Sequence, residues 1–233
     1  MEEKALAYLE SDRLAYMDMI FPLRRGTAEV LYAGDDGVLL KELASDSYMI
    51  AASSFKKGRE LVDSVGKPKY YCVHQEELAD YLLALYLTRN STGFYQVMYE
   101  KTEPVGNWAA GALEIKALGV ADIDEVFSHY HAFVDYPYVR QRLECGDMYG
   151  GFHEGRMCGF IGIHAEGSIG MLEVFEEYRR RGFGAELLGF MTDLFLERGQ
   201  VPFGQIAVGN EASMALNRKL GYSFSSSKLY WVY

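Results

Sequence analysis

The sequence predicts an α/β protein with a mixed central sheet flanked by helices and built from two similar halves. Strand-like apolar runs alternate with segments of helical periodicity along the whole chain. An internal repeat supports the two halves: residues 71–76 align with 206–211, and the same offset, without a gap, aligns 94–97 with 229–232. Repeated strand–helix–strand spacing of this kind indicates an ancient duplication.

The N-terminal half begins with one predicted helix over residues 1–20, because Leu6, Leu9, Leu14 and Met17 recur among charged positions. A Gly-Asp-Asp-Gly turn at 34–37 predicts a hairpin between the first two strands. The further predicted elements are strands 28–32, 38–41 and 48–52, a helix 60–65, a strand 70–73, a helix 76–88 and a strand 94–99.

The turn-rich, aperiodic stretch 101–107 predicts a domain boundary, which divides the chain into residues 1–107 and 108–233. The C-terminal part opens with a strand at 113–116 and two short helices, near Asp122 and over 138–144. Three strands follow in quick succession, at 148–153, 158–164 and 169–175. A helix after residue 184, a strand at 205–208, a helix at 211–220 and a strand at 229–233 complete the chain. Gly221 is the expected C′ residue of the last helix.

Composition excludes several classes of protein. Half of the residues are apolar (49%) and 14% are aromatic, which is typical of a packed globular protein. The net charge of −10 argues against a nucleic-acid binder, which usually has a basic face. The same charge suits a cationic amine substrate, although acidity for solubility alone explains it better.

Targeting and metal signals are weak. The three cysteines, Cys72, Cys145 and Cys158, lack metal-ligand spacing, so we expect buried small side chains and no metal site. The first residues are acidic and lack an apolar core, which argues against a signal peptide. No run approaches the roughly 18 uncharged apolar residues of a membrane span. A cytoplasmic protein without membrane contact is the default expectation.

The segment Arg179-Arg180-Arg181-Gly182-Phe183-Gly184 predicts a phosphate-binding turn between a strand and a helix. A helix N-terminus offers several N–H donors and a favourable dipole to an anion. Glycines let the backbone approach phosphate oxygens closely. A solvated basic turn that caps a surface helix would have the same residues. A dinucleotide-binding turn would need a longer glycine pattern with an acidic residue about 20 positions on, and a P-loop would need Gly-Lys-Ser/Thr.

Two motifs at matching spacing resemble the GNAT superfamily of acyl-CoA-dependent N-acyltransferases. The first comprises Leu172-Glu173-Val174, Tyr178 through Ala185, and Leu187-Leu188; the second comprises Val208-Gly209-Asn210-Glu211-Ala212-Ser213 and Lys219-Leu220-Gly221-Tyr222. The resemblance covers residues 112–233. The N-terminal half resembles the divergent, ligand-free half of two-lobed members such as the glycine N-acyltransferase and FR-type branches. Its counterpart of the turn, at 53–58, lacks the spacing, so we expect no CoA there.

The resemblance implies an N-acetyltransferase that moves an acetyl group from acetyl-CoA, its co-substrate, to a primary amine by direct attack in a ternary complex. The strand carrying Leu172 and Val174 is expected to splay from the strand carrying Ala207, and the Val174 backbone would meet the thioester. Asn210 would bond the pantetheine arm, with Ser213 beside it. The pyrophosphate would be wrapped by Arg179, Arg180, Arg181, Gly182, Phe183, Gly184 and Ala185.

The proton chemistry is less defined. Glu173, next to the thioester-binding residue, is the first candidate for general base, and a solvated strand carboxylate is an equal reading; His164 is the second candidate. Many relatives place a tyrosine where this chain has Asn217, and an amide cannot supply that proton. Tyr222 and Tyr230 are substitutes that would equally suit the core, so the general acid is unassigned.

The resemblance also bears on partners. Tyr136 and Tyr138 lie where relatives line the acceptor site, and the acceptor would be a small-molecule or peptide amine. Homodimers are common in the family, so a homodimer stays open. A competing reading is a non-catalytic acyl-CoA-binding sensor or regulatory module, which the missing tyrosine at Asn217 favours. A structural protein without acyl-CoA binding is a third reading.

Overall fold

The computed structural model describes residues 1–106, 111–130 and 135–233. The strands are β1 (Ala28–Gly34), β2 (Gly37–Glu42), β3 (Ser47–Ala52), β4 (Tyr70–Val73), β5 (Ser91–Met98), β6 (Glu114–Ala117), β7 (Met148–His153), β8 (Arg156–Ile163), β9 (Ile169–Val174), β10 (Phe203–Ala207) and β11 (Ser223–Val232). The helices are α1 (Glu2–Leu9), α2 (Met17–Arg25), α3 (Phe55–Ser64), α4 (Glu76–Leu85), α5 (Ile123–His129), α6 (Tyr136–Glu144), α7 (Phe183–Glu197) and α8 (Glu211–Leu220). The predicted α/β class, a mixed central sheet flanked by helices, is confirmed.

One 11-stranded sheet runs through the described part of both halves, in the order β1-β2-β3-β4-β11-β5-β10-β9-β8-β7-β6. If β1 to β5 are matched one by one with β7 to β11, the strand order is the same from either edge of the sheet. β6 is an additional strand at one edge. The last strand of each half therefore lies inside the sheet of the other half: β5 between β11 and β10, and β11 between β4 and β5.

The internal repeat predicted from the sequence corresponds to matching elements. The offset that aligns Glu76 with Glu211 also aligns Leu85 with Leu220, so α4 and α8 coincide end to end. The proposed division between residues 107 and 108 lies outside the described residues, and two independent halves stay a prediction. The exchanged strands tie the halves together through backbone hydrogen bonds.

Three predicted elements need correction. The prediction of a single helix over 1–20 is wrong, because the segment forms two helices, α1 and α2. Between them Ser11 Oγ donates to the Tyr8 carbonyl, and Asp12 Oδ1 accepts from Ala15 N. These local bonds compete with a continuing helix. The helix predicted at 60–65 starts earlier, where Ser54 Oγ accepts from Lys57 N as an N-cap. The last strand starts at Ser223, with an irregular register after Phe224.

The core fixes α7 against the sheet. Leu187, Met191 and Phe195 of α7 are at most 1% exposed. Phe21 of α2 stacks against Phe195 and contacts Phe203 of β10, with ring centroids 6.1 and 5.2 Å apart. Burial of each such side chain contributes about 1.5–3 kcal/mol, so α7 is held firmly against the sheet. None of the helices described is long and apolar enough to cross a membrane.

Candidate functional site

The cleft lies between β9 and β10. These parallel neighbours share a single register pair, Gly204 with Ile169, and then separate toward their carboxyl ends. Their counterparts in the N-terminal half, β3 and β4, pair at four consecutive positions, from Ser47–Tyr70 to Ile50–Val73. The splayed pair predicted for the C-terminal half is therefore present, and the equivalent pair in the N-terminal half is closed.

A bulge shapes the β9 wall of this cleft. Between the pairs Phe160–Glu173 and Gly162–Gly170, β9 has one residue more than β8, and Met171 takes a left-handed φ of +50°. A bulge re-aims the side chains that follow it. Met171 packs with the aromatic cluster around α5 and α6, whereas Leu172 and Val174 pack toward the core that contains α7.

The arginine-glycine turn links β9 to α7 and carries free donors. Gly182 is the N-cap of α7 with φ +89°, and Arg180 is also left-handed, with φ +61°. Left-handed residues in a turn bring successive N–H groups to one side. No side chain caps α7, and the backbone N–H groups of Arg180 through Gly184 donate to no residue that the structure describes. The turn therefore offers several unpaired donors beside the open end of the cleft.

The three arginines take different positions. Arg179 Nε donates to the Val174 carbonyl at 3.0 Å, and its Nη2 lies 3.1 Å from Glu173 Oε1. Arg181 lies over the Phe183 ring and within 2.8 Å of His153 Nε2. Arg180 is exposed and forms no ion pair with a described residue. The turn thus carries positive charge at its mouth, partly anchored to β9.

The buried residues of the turn contribute through their backbone. Phe183 and Ala185 are only 3% and 4% exposed, so their side chains belong to the core. Gly184 lies at the wall of the cleft, where an added Cβ would meet Leu216 at 3.6 Å and Val174 at 3.7 Å. A methyl group would fit there at ordinary contact distance, and a large side chain would fill the space.

The second motif forms the start of α8 on the other side of the cleft. Asn210 Oδ1 accepts from Ser213 N at 3.1 Å, so this oxygen caps the helix. The amide nitrogen of Asn210 makes no bond to a described residue and remains for a ligand. Asn217 is buried, and its Nδ2 donates to the Ser213 carbonyl at 3.0 Å. Asn217 therefore completes a turn of α8.

Glu173 lies on the face of β9 opposite Leu172 and Val174, as strand alternation predicts. Its negative charge, together with burial as the larger cause, raises the pKa of Tyr130 to about 12. Tyr130 packs edge-on against Phe160 in the cluster around α5 and α6. Glu173 is thus partly buried between Arg179 and this aromatic cluster.

His164 and Tyr138 form a pair at the other end of β9. Tyr138 Oη accepts from Ala165 N at 3.3 Å and shares a hydrogen bond with His164 Nδ1 at 2.8 Å. Burial, and to a lesser degree Arg142, lower the pKa of His164 to about 4, so its imidazole is neutral near pH 7. Tyr138 is held in this pair, whereas the exposed ring of Tyr136 packs edge-on against Phe127.

The substitute tyrosines are placed away from the cleft. Tyr222 is 6% exposed and its hydroxyl lies 2.6 Å from Thr192 Oγ1, in the core behind α7. Tyr230 packs with the N-terminal cluster around α4, and burial raises its pKa to about 12. The sequence does not reveal the bond from Arg179 to the Val174 carbonyl, which depends on the folded turn, or the left-handed conformation of Met171, which depends on the pairing of β9 with β8.

Comparisons with known proteins agree with this geometry. Residues 148–232 match the family model described as FR47-like protein. No curated protein matches the sequence.

Three solved structures are similar over nearly the whole chain. A Drosophila protein is 14% identical with a TM-score of 0.69, covering 99% of this chain and 86% of its own. A putative GNAT-family acetyltransferase of Novosphingobium aromaticivorans is 16% identical with a TM-score of 0.58, covering 95% and 96%. A GCN5-related N-acetyltransferase-like protein of Streptococcus suis is 13% identical with a TM-score of 0.57, covering 98% and 98%. The chain therefore has the GNAT fold, and the predicted resemblance to that superfamily is confirmed.

Proposed function

We propose that this GNAT-fold chain is an N-acetyltransferase that moves the acetyl group of acetyl-CoA to a primary amine. One observation carries the proposal: the splayed strands β9 and β10 open beside the uncapped N-terminus of α7. A slot for a thioester arm and a set of free N–H donors for a diphosphate thus adjoin one another. A solvated basic turn that only caps a surface helix would not require a slot between two strands beside it.

The residues around the cleft fit such a co-substrate. The backbone N–H groups from Arg180 to Gly184 and the exposed Arg180 side chain would bind the pyrophosphate, with Arg179, Arg181, Phe183 and Ala185 completing the turn. Val174, with Leu172 on the same wall, would meet the thioester arm. The free amide nitrogen of Asn210, beside Ser213, would bond the pantetheine amides.

The reaction needs a neutral amine. Glu173 would take the proton of the substrate ammonium, the amine nitrogen would attack the thioester carbon, and the C–S bond would break to leave a thiolate. General-base help of this kind contributes about 10²–10⁴-fold. Arg179 Nη2 lies 3.1 Å from Glu173 Oε1 and would hold this carboxylate in place. The general acid stays unassigned, and a thiolate can leave without one. His164, held by Tyr138 at the far end of β9, fits the role of base less well.

The acceptor would be a small-molecule or peptide amine that enters past Tyr136 and the ring of Tyr138. We propose no nucleic-acid or membrane partner for this acidic chain. We also propose a cytoplasmic location, with a homodimer as an open alternative.

The N-terminal half is proposed to hold no cofactor. Its strand pair is closed, and Ser54 caps the helix that corresponds to α7. A capped helix and a closed strand pair offer neither free donors nor a slot.

A second candidate function is a non-catalytic acyl-CoA sensor. Asn217 favours it, because this buried amide stands where many relatives have a proton-donating tyrosine and is used within α8. The two functions share the cofactor turn and differ in turnover.

Release of free thiol from acetyl-CoA, measured across a panel of primary amines, separates these functions. The enzyme predicts amine-dependent thiol release that saturates with one class of amine, and acetylated amine in equal amount by mass spectrometry. Acetyl-CoA binding by calorimetry without release from any amine would favour the sensor. A chain that binds no acetyl-CoA would refute both.

A further inference from the structure

A buried polar cluster lies away from the cleft, where α2 packs on the end of β4. It consists of Asp18 from α2 and of Cys72 and His74 from β4 and the residue after it. Asp18 and Cys72 are fully buried, and the His74 side chain is 3% exposed. Nothing in the proposed acetyl transfer uses these residues.

The three ligand-type atoms converge on one point. Asp18 Oδ2 lies 3.4 Å from Cys72 Sγ and 3.2 Å from His74 Nε2, and all three atoms lie within 4.8 Å of one another. Around a tetrahedral zinc ion, with bonds of about 2.0–2.3 Å to oxygen, nitrogen and sulfur, neighbouring ligand atoms are about 3.3–3.6 Å apart. The two short separations therefore match the edges of such a site.

The other oxygen of Asp18 is held from behind. Gln96 Nε2 donates to Asp18 Oδ1 at 3.2 Å, which leaves Oδ2 facing Cys72 and His74. Outer hydrogen bonds of this kind orient the carboxylate ligands of metal ions. Gln96 Oε1 is buried and has no partner among the described residues, so the amide also carries a spare acceptor.

Buried carboxylates are concentrated in this region, although Glu42 accepts from Ala44 N, Ser45 N and Ser45 Oγ, and Glu166 accepts from Ser168 Oγ. Asp18 and two further buried acidic residues, Glu42 and Glu166, interact electrostatically. No described lysine or arginine lies within 4 Å of any of the three. Buried carboxylates are costly unless a positive charge or strong donors compensate them. A divalent ion bound by Asp18 and a Cys72 thiolate would add a net charge of +1, because the thiolate contributes one negative charge.

We propose that Asp18, Cys72 and His74 bind a zinc ion that fastens α2 to β4. One thiolate, one imidazole and one carboxylate are a ligand set that zinc accepts, and the thiolate disfavours magnesium or calcium. The fourth position of a tetrahedral ion is left for water or for the spare oxygen of Gln96. Binding releases the Cys72 proton. Because the ligands come from α2 and β4, the site is structural, and it is independent of the proposed activity.

The test is the zinc content of the full-length chain. The protein is refolded with a small excess of Zn²⁺, because a closed site exchanges slowly, and is then freed of unbound metal by gel filtration. We expect one zinc per chain, a loss of zinc in Cys72→Ser and Asp18→Asn, and full retention in Cys158→Ser. Cys158 is the matched control, since it is equally buried and bonds the Arg156 carbonyl.

Cobalt provides a readout that does not depend on a variant folding. Refolding of the wild-type chain with Co²⁺ should give a thiolate-to-metal absorption band, which Cys158→Ser retains and Cys72→Ser loses. Folded wild-type protein with neither zinc nor this band would overturn the proposal, since Cys72 and His74 then merely donate hydrogen bonds to Asp18. Zinc retained at one per chain in Cys72→Ser would overturn it equally.

Discussion

Gly182→Ala tests whether the arginine-glycine turn binds acetyl-CoA. A matched control separates this effect from the effect of the substitution on stability. Gly182 has φ +89°, and an added Cβ would meet no atom within 4 Å. The left-handed conformation costs an L-residue about 1–2 kcal/mol. The smaller conformational entropy of the unfolded alanine chain offsets about 0.4–1 kcal/mol of this cost. We expect a loss of about 1 kcal/mol in unfolding free energy.

The chain offers a matched control at the other end of α7. Gly199 has φ +66° and equally open space around its Cβ position. Gly199→Ala should therefore lose a similar free energy of unfolding. For a chain of this size, each kcal/mol lowers Tm by about 2–4 °C. Thermal unfolding of both variants checks that their strain is comparable.

Ligand binding should separate the two variants. At Gly182 the new methyl group would occupy open space within the turn whose free N–H groups are proposed to bind the diphosphate. A hydrogen bond to a charged group contributes about 1.5–3 kcal/mol, so the loss of one bond predicts roughly 10- to 100-fold weaker acetyl-CoA binding by calorimetry. Gly199→Ala should bind like the wild type. Equal Kd values for both variants would refute the assignment of the turn.

The remaining predictions concern the proton chemistry and acid stability. Glu173→Gln should lower kcat about 10²–10⁴-fold in the thiol-release assay while acetyl-CoA still binds; an unchanged kcat would remove Glu173 as base. Asn217→Ala should lose about 1 kcal/mol in urea unfolding, because its bond to the Ser213 carbonyl is lost, with thiol release preserved; a lost activity and intact stability would contradict this structural role. The pKa of His164 is about 4 when folded and 6.5 when unfolded, so its unfolded form binds more protons below pH 6.5. The stability that its neutral form provides is present above pH 6.5 and is lost as the pH falls toward 4. From pH 7 to pH 5 the wild type should lose about 2 kcal/mol more than His164→Gln, and equal losses in urea titrations would argue against a buried neutral imidazole.

Local signals made much of the fold predictable. The repeat between residues 71–76 and 206–211 located α4 and α8, and Gly221 ends α8 in the left-handed conformation, as expected of a C′ residue. The glycine spacing predicted the turn at Gly182, where neighbouring residues in the chain determine the backbone conformation. The splay of β9 from β10 was implied only by the resemblance to the GNAT superfamily.

Features that depend on distant residues were not predictable. The break between α1 and α2 rests on side-chain bonds of Ser11 and Asp12 that the apolar pattern does not reveal. The exchange of β5 and β11 between halves follows from tertiary pairing, which strand periodicity cannot specify. Asp18 reaches Cys72 across 54 positions of sequence, so the cysteine spacing gave no hint of their contact.

Calorimetric titration of Gly184 variants with acetyl-CoA tests the central claim most directly. An alanine at this position would contact Val174 and Leu216 at ordinary distances, so Gly184→Ala should bind acetyl-CoA within a few-fold of the wild type. A tryptophan would fill the cleft beside the open ends of β9 and β10, so Gly184→Trp should show no binding while circular dichroism confirms its fold. Undiminished binding by Gly184→Trp would contradict the placement of the acyl-CoA site between these strands.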